Sequence, residues 1–352
     1  MLPQLLPTNT PESTPSIQRG SFHGAGGTLL GMQIVNVCLT IVTLGAYHFW
    51  AKAKIRRYLF SQTAFAGDRF AYHGTGKELY QGFLKAMVVF GIPYFSLGAA
   101  QSFLALPQSV DFLLQAMAAL VLFLYVPVAI VNARRYRCTR TSWRGIRFSF
   151  RGRTVDFLKL YFKGWLFTLL TLGTYYPYFQ TQRQAFLHSH TYFGNQRFQF
   201  TGHGSGLMVP FAVTLFTTYA VLCLCGLALA LQLTNAGLTL LLIPFVLGPV
   251  WVWLLGQKQK YYWDHTTFGE ARFSSSITWQ KLFGLYLGNL ALLLLTLGWA
   301  WPWVTVRNAR FFIGTLSLQG LTDLDRVLQD TTETSVTGEG LSNLLDTGFD
   351  MD

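Results

Sequence analysis

A long-period repeat constrains this chain more than any other feature. Its unit is a basic residue and an aromatic, followed after four residues by a threonine, then an aromatic, often a glycine, and an Arg-Phe pair. It reads Arg57-Tyr58…Thr63-Ala64-Phe65-Ala66-Gly67-Asp68-Arg69-Phe70, and again Arg135-Tyr136…Thr141-Ser142-Trp143-Arg144-Gly145-Ile146-Arg147-Phe148. It returns as Phe186…Thr191-Tyr192-Phe193-Gly194-Asn195-Gln196-Arg197-Phe198 and as Lys260-Tyr261…Thr266-Thr267-Phe268-Gly269-Glu270-Ala271-Arg272-Phe273. Copies one and three lie 128 residues apart, copies two and four 125 apart. Such self-similarity predicts a duplicated module.

Around these units the chain has a membrane composition. Hydrophobic residues make up 51% of the 352 positions and charged residues 12%, against about 25% charged in an ordinary soluble protein. The net charge of +12 conceals an acidic end: residues 320–352 carry eight acids (Asp323, Asp325, Asp330, Glu333, Glu339, Asp346, Asp350 and Asp352) and one base, Arg326. The other bases sit between apolar stretches, which points to anionic lipid head groups and away from nucleic acid. Cys38, Cys138, Cys223 and Cys225 form no metal-ligand spacing. Residues 1–21, rich in Pro, Ser and Thr, and the acidic end 320–352 are expected to be disordered, with a short helix at 321–329.

Seven apolar stretches approach the roughly 20 residues needed to cross a bilayer, near 29–50, 82–105, 112–133, 156–179, 207–231, 236–256 and 281–305. The expected fold is therefore an all-α membrane protein, a polytopic bundle of 6–7 transmembrane segments with small β-hairpins at the membrane surface. The domain plan is a tail (1–21), a first module of three membrane segments (22–155), a second of three (156–278), a partial third of one (279–319), and the acidic tail (320–352). Stretches one, four and seven end alike, in Thr43-Leu44-Gly45, Thr171-Leu172-Gly173 and Thr296-Leu297-Gly298 followed by aromatics. These aromatics suit an interfacial belt.

Three crossings per module would invert the second copy relative to the first, the plan of many secondary transporters. One face then holds six Lys or Arg in 51–81, eight in 134–155 and three at the C-terminus; the other holds one, two and four. Ala185 stands where Arg57 and Arg135 stand, which fits a periplasmic third copy. A rival plan puts every motif in the cytoplasm and turns stretches one, four and seven back within the membrane. Simple crossing is slightly preferred, because backbone that turns in lipid has to be shielded.

β-formers flank a short Gly-containing turn in each motif, so each reads as a helix end leading into a hairpin. Two roles fit Arg69, Arg147, Arg197 and Arg272: contact with an anionic lipid phosphate, or a brace between hairpin and helix end. Recurrence in all four copies favours the brace. The run Thr43 to Tyr58, then Phe65…Arg69-Phe70-Ala71-Tyr72-His73-Gly74-Thr75-Gly76-Lys77-Glu78-Leu79, resembles the YjgN-like family of bacterial multi-pass inner-membrane proteins, a domain of unknown function. The resemblance covers about residues 20–315 and implies an inner-membrane location, with no reaction to carry over.

No catalytic pair, cofactor motif or metal-ligand set emerges, although His188-Ser189-His190, His203 and His265 would have to meet to make one. Polar residues inside spans are the better lead, since their burial in lipid is costly. Asn36 and Asn289 each lie seven residues before the Thr of Thr-Leu-Gly, and Gln33 lies one turn before Asn36. They would line a solute path, or hydrogen-bond between helices. The functional expectation is a transporter or channel-like protein for a small solute or lipid. The alternative is a non-transporting protein that organises lipids or partner proteins through its basic hairpins, and an enzyme ranks third. The expected partners are anionic membrane lipids, and no signature sets an oligomeric state.

Overall fold

In this computed structural model, residues 17–103, 107–232 and 234–320 are described. Residues 1–16 and the acidic tail from 321 on, with its expected helix, lie outside them.

The hairpins do not stay apart. Ten short strands close into one antiparallel barrel: β1 (Gln18–Phe22), β2 (Thr63–Phe65), β3 (Asp68–Tyr72), β4 (Thr141–Trp143), β5 (Ile146–Phe150), β6 (Thr191–Phe193), β7 (Gln196–Phe200), β8 (Thr266–Phe268), β9 (Ala271–Ser275) and β10 (Leu316–Gln319). Four hairpins turn within the chain. Ala66-Gly67 and Arg144-Gly145 hold positive φ at both turn positions (50° and 86°, 50° and 79°), the primed geometry that matches strand twist. The fifth hairpin has no turn. Strand β10 meets β1 from the other end of the chain, with Leu318 opposite Gln18 and Ser317 opposite Arg19, and β1 pairs onward with β2. The register advances by two residues per hairpin, since Ser142 faces Ala71 on one side and Arg147 on the other. Such a stagger is what closure requires.

One backbone bond recurs at all five junctions between neighbouring hairpins. His23, His73, Arg151, Thr201 and Ser276 donate their N–H to the carbonyls of Gln62, Arg140, His190, His265 and Thr315, at 2.8–3.0 Å. Helix-end arginines add to it: Arg57, Arg135 and Arg310 donate to the carbonyls of Gly74, Gly152 and Gly24.

Each strand joins a helical segment at one end, the first strand of a hairpin at its start and the second at its finish. The helices are α1 (Gly26–Val42), α2 (His48–Gln62), α3 (Gly76–Ala86), α4 (Ile92–Phe103), α5 (Gln108–Arg140), α6 (Thr154–Leu170), α7 (Tyr176–Ser189), α8 (Met208–Ala230), α9 (Ala236–Asp264), α10 (Trp279–Leu295) and α11 (Trp301–Gly314). A π-helical turn, Met87–Gly91, joins α3 to α4. Neighbours pack in strand order, α1 on α2 and α11, α2 on α3, α5 on α4 and α6, α7 on α6 and α8, and α10 on α9 and α11. The helices thus ring the same axis as the barrel.

Two of the five helix pairs are long and three are short, and this overturns the expected all-α bundle of 6–7 spans. Among the described residues four helices are long and apolar enough to cross a membrane: Gly76–Phe103, Gln108–Arg140, Gly204–Ala230 and Gly237–Asp264. The stretches at 29–50, 156–179 and 281–305 instead reverse direction at Thr-Leu-Gly. The inverted-copy plan and its charge count fall with them, because strands of one closed barrel lie on one side of the membrane.

Local chemistry makes the reversal tolerable in lipid. Thr43, Thr171 and Thr296 each accept the N–H of the residue four further on, at 2.9–3.0 Å. The same hydroxyls donate to the carbonyls of Leu39, Phe167 and Leu292. Gly45, Gly173 and Gly298, with φ between 88° and 93°, donate to Thr40, Thr168 and Leu293. These local bonds pair the backbone polar groups that lipid cannot satisfy, while Leu44, Leu172 and Leu297 stand 79–97% exposed at the tips. A 22-residue hydropathy window reads a 17-residue helix, a turn and an aromatic helix start as one span.

The aromatics after Thr-Leu-Gly are packing residues as well. Trp50 packs on Gly76, Tyr178 on Gly204 and Trp303 on Gly26, each the start of the next helix round the ring. A Cβ at position 76 would lie 2.6 Å from the Trp50 backbone, whereas one on Gly27 meets open space. Gly76→Ala should therefore lower stability by about 1–3 kcal/mol through overpacking. Gly27→Ala should leave it unchanged or raise it by about 0.5–1 kcal/mol. Thermal unfolding in detergent checks both.

Candidate functional site

Strand alternation turns one set of side chains into the barrel. Phe65, Trp143, Phe193, Phe268 and Leu318 occupy equivalent positions on the first strands, and Phe70, Phe148, Phe198 and Phe273 on the second. Phe70, Phe148, Phe198 and Phe273 form a stacked ladder with centroids 6.2–6.4 Å apart and planes within 25°. The other ring interleaves with it, as in Phe148–Phe193 at 4.8 Å and Phe198–Phe268 at 4.9 Å. At the seam the ladder is broken by Gly20, because a Cβ there would lie 2.6 Å from the Ile313 carbonyl oxygen.

Beneath this aromatic collar lies a cavity of about 370 Å³. Its lower wall comes from the helices that lead into the first strands. Phe60, Cys138, His188 and Trp263 each stand three residues before the threonine that opens the strand, and all four line it with Arg134 and Arg137. Thr141, Thr191 and Thr266 line it too, and among the described residues no Asp or Glu does.

The hydrogen bonds fix the state of His188. Thr266 donates its hydroxyl to the Tyr262 carbonyl at 2.6 Å, so its oxygen accepts from His188 Nδ1 at 3.3 Å. That leaves His188 Nε2 to accept from Gln184 Nε2 at 2.6 Å, the neutral Nδ1–H tautomer assigned from its network. Burial, with the Arg134 guanidinium beside it, pushes the imidazole pKa down to about 3. Arg134 itself donates to Thr191 Oγ1 at 3.4 Å, and its buried Nε finds no hydrogen-bond partner among the described residues. Arg134 is thus short of acceptors among the described residues.

The residues singled out from sequence lie elsewhere. Arg69, Arg147, Arg197 and Arg272 sit on the outer face of the barrel, all exposed, opposite Ala64, Ser142, Tyr192 and Thr267. Asn289 donates to Asn308 Oδ1 of α11 at 2.7 Å. Asn36 is buried without a side-chain partner among the described residues, and Gln33 lines a separate groove with Leu30, Ile34, Val37, Cys38 and Leu297-Gly298-Trp299. None of the three lines the barrel cavity. Among the described residues no three of His, Cys, Asp or Glu gather as metal ligands. The repeat motif singles out none of Phe60, Arg134, Arg137, Cys138 and Trp263: Phe60, Cys138 and Trp263 share with His188 a three-residue offset from their threonines, and Arg134 and Arg137 lie seven and four residues before Thr141, but only the converging helices bring them together.

His188 carries a pH signature. Its pKa is depressed in the folded chain, so its contribution is fully present above the unfolded value of about 6.5 and is lost as pH falls towards 3. Between pH 7 and pH 5 the wild type should lose up to about 2 kcal/mol from this group. His188→Gln should not show that component in thermal unfolding at the two pH values.

Comparison with known proteins agrees with a membrane location. "Inner membrane protein YjgN" of Escherichia coli O157:H7 is 35% identical over 130 residues, that of Escherichia coli K12 33%, and that of Salmonella typhimurium 32%. The matched segment covers 37% of this chain and 30% of each relative, so the chain spans under a third of their length. No solved structure matches. The family described as "Bacterial protein of unknown function (DUF898)" matches residues 17–344, a span that includes every strand of the barrel and every helix of the ring, and the chain belongs to that family as an inner-membrane protein.

Proposed function

We propose that this protein takes up an amphiphile with an anionic head group and an acyl chain, and passes it between the membrane and the barrel. The observation that carries the reading is the cavity: aromatic walls, a basic end at Arg134 and Arg137, and no carboxylate among its described lining residues. Its volume lies within the usual range of small-molecule sites, about 300–1,000 Å³. An acyl chain among these rings gains about 0.8 kcal/mol per buried CH₂, whereas a bare inorganic ion would have to be stripped of water to pass them.

The helix lengths support an amphiphile over a conducted ion. Helix α5 has 33 residues and α1 has 17, a difference of about 24 Å at 1.5 Å per residue. The short pairs α1–α2, α6–α7 and α10–α11 therefore stop well before the long ones, and the ring is not closed across the whole bilayer. Its axis leads from the barrel into the membrane. The two far connections, at 104–107 and 232–235, contain no Lys or Arg, so the positive-inside rule orients the barrel to the cytoplasm.

Oleate and its uncharged methyl ester test this with the full chain in detergent. Wild type should bind oleate at least about tenfold more tightly than the ester. Arg134→Gln should cost oleate about tenfold, a loss of the size expected for a hydrogen bond to a charged group, and leave the ester unchanged. Equal oleate affinity in Arg134→Gln contradicts the proposal. Chloride flux through liposomes carrying the folded protein, insensitive to oleate, would replace it with an anion channel.

A further inference from the structure

The barrel's outer face carries an arginine at the same place in every hairpin. Arg69, Arg147, Arg197 and Arg272 each pair with the middle residue of their hairpin's first strand. The seam hairpin repeats the plan, because Arg19 of β1 pairs with Ser317 of β10. All five are exposed. The fifth escaped the sequence motif, since its hairpin is assembled from two distant segments.

These arginines dominate the barrel's charge. Residues 17–23, 63–73, 141–153, 191–203, 266–278 and 315–320 contain eight Arg and two acids, Asp68 and Glu270. Asp68 is already engaged by Arg144. Arg69, Arg147, Arg197 and Arg272 lie just after a hairpin turn and Arg19 at the matching place of the seam, on the side of the barrel away from the helices, so the belt stands off the membrane surface.

We infer that this belt is the docking surface for the chain's own acidic segment, residues 321–352. The segment carries the eight acids named above against Arg326 alone. It leaves the barrel beside the belt, because Gln319 of β10 pairs with Arg272. Its 32 residues reach about 100 Å when extended, while ten strands spaced about 4.8 Å apart give a girth of about 50 Å, larger with strand tilt. The segment is long enough to follow the belt past all five arginines. Tethering supplies an effective concentration in the millimolar range, so several weak, screened ion pairs suffice to hold it.

The test is energy transfer in the full chain, with Cys38, Cys138, Cys223 and Cys225 replaced by Ala and dyes on cysteines placed at Asn195, an exposed turn residue, and Thr347. Transfer should be high at low salt and fall by at least half at about 0.5 M salt. Replacing Arg19, Arg69, Arg197 and Arg272 with Gln should give low transfer at either salt. A second variant, with Asp323, Asp325, Asp330 and Glu333 changed to their amides, leaves the barrel untouched and should reproduce that loss. Transfer equal to the parent in the acid-to-amide variant overturns the inference. So does transfer lost only in nanodiscs of anionic lipid, which would hand the belt to lipid head groups.

Discussion

Every strand of the barrel needs a partner on both sides, and the short strands are too small to stand as open edges. An unpaired edge exposes a row of N–H and C=O groups, and two-stranded hairpins are marginal alone. Four hairpins from successive loops cannot remove both edges. The seam between β10 and β1 does, and it ties residues near the two ends of the described chain into one ring. Once that ring is closed, the helix order, the shared side of the membrane and the aromatic collar follow from it.

The membrane part obeys a second constraint, the pairing of backbone polar groups in lipid. The three Thr-Leu-Gly tips satisfy it locally, with one hydroxyl serving both the outgoing carbonyl and the incoming N–H. This lets three helix pairs end within the apolar layer while two pairs continue. In the proposed function, these unequal lengths are the route by which an amphiphile would pass between the barrel cavity and the membrane.

Much of the local structure was legible in the residues. The β-formers around Gly67, Gly145, Gly194 and Gly269 announce hairpins, and the threonine before each marks where helix gives way to strand. The recurrence of aromatics after Thr-Leu-Gly was visible too, but their partners Gly26, Gly76 and Gly204 belong to the next unit, which no local window reveals. Reversal at Leu44, Leu172 and Leu297 was hidden because hydropathy reports composition and is blind to direction. Arg19 and the cavity set Phe60, Cys138, His188 and Trp263 were hidden for a topological reason. They come together only when segments far apart in sequence close the same ring, so chemically unlike residues end up as neighbours.

A closed barrel requires all five hairpins to share one side of the membrane. Single cysteines at the exposed turn residues Arg144, Asn195 and Glu270, in a chain whose native cysteines are replaced by Ala, test it with a membrane-impermeant thiol reagent on intact and opened cells. The closed barrel predicts that all three are protected in intact cells and label once the cytoplasm is accessible. Labelling of Asn195 from the opposite side to Arg144 would contradict it and restore inverted copies.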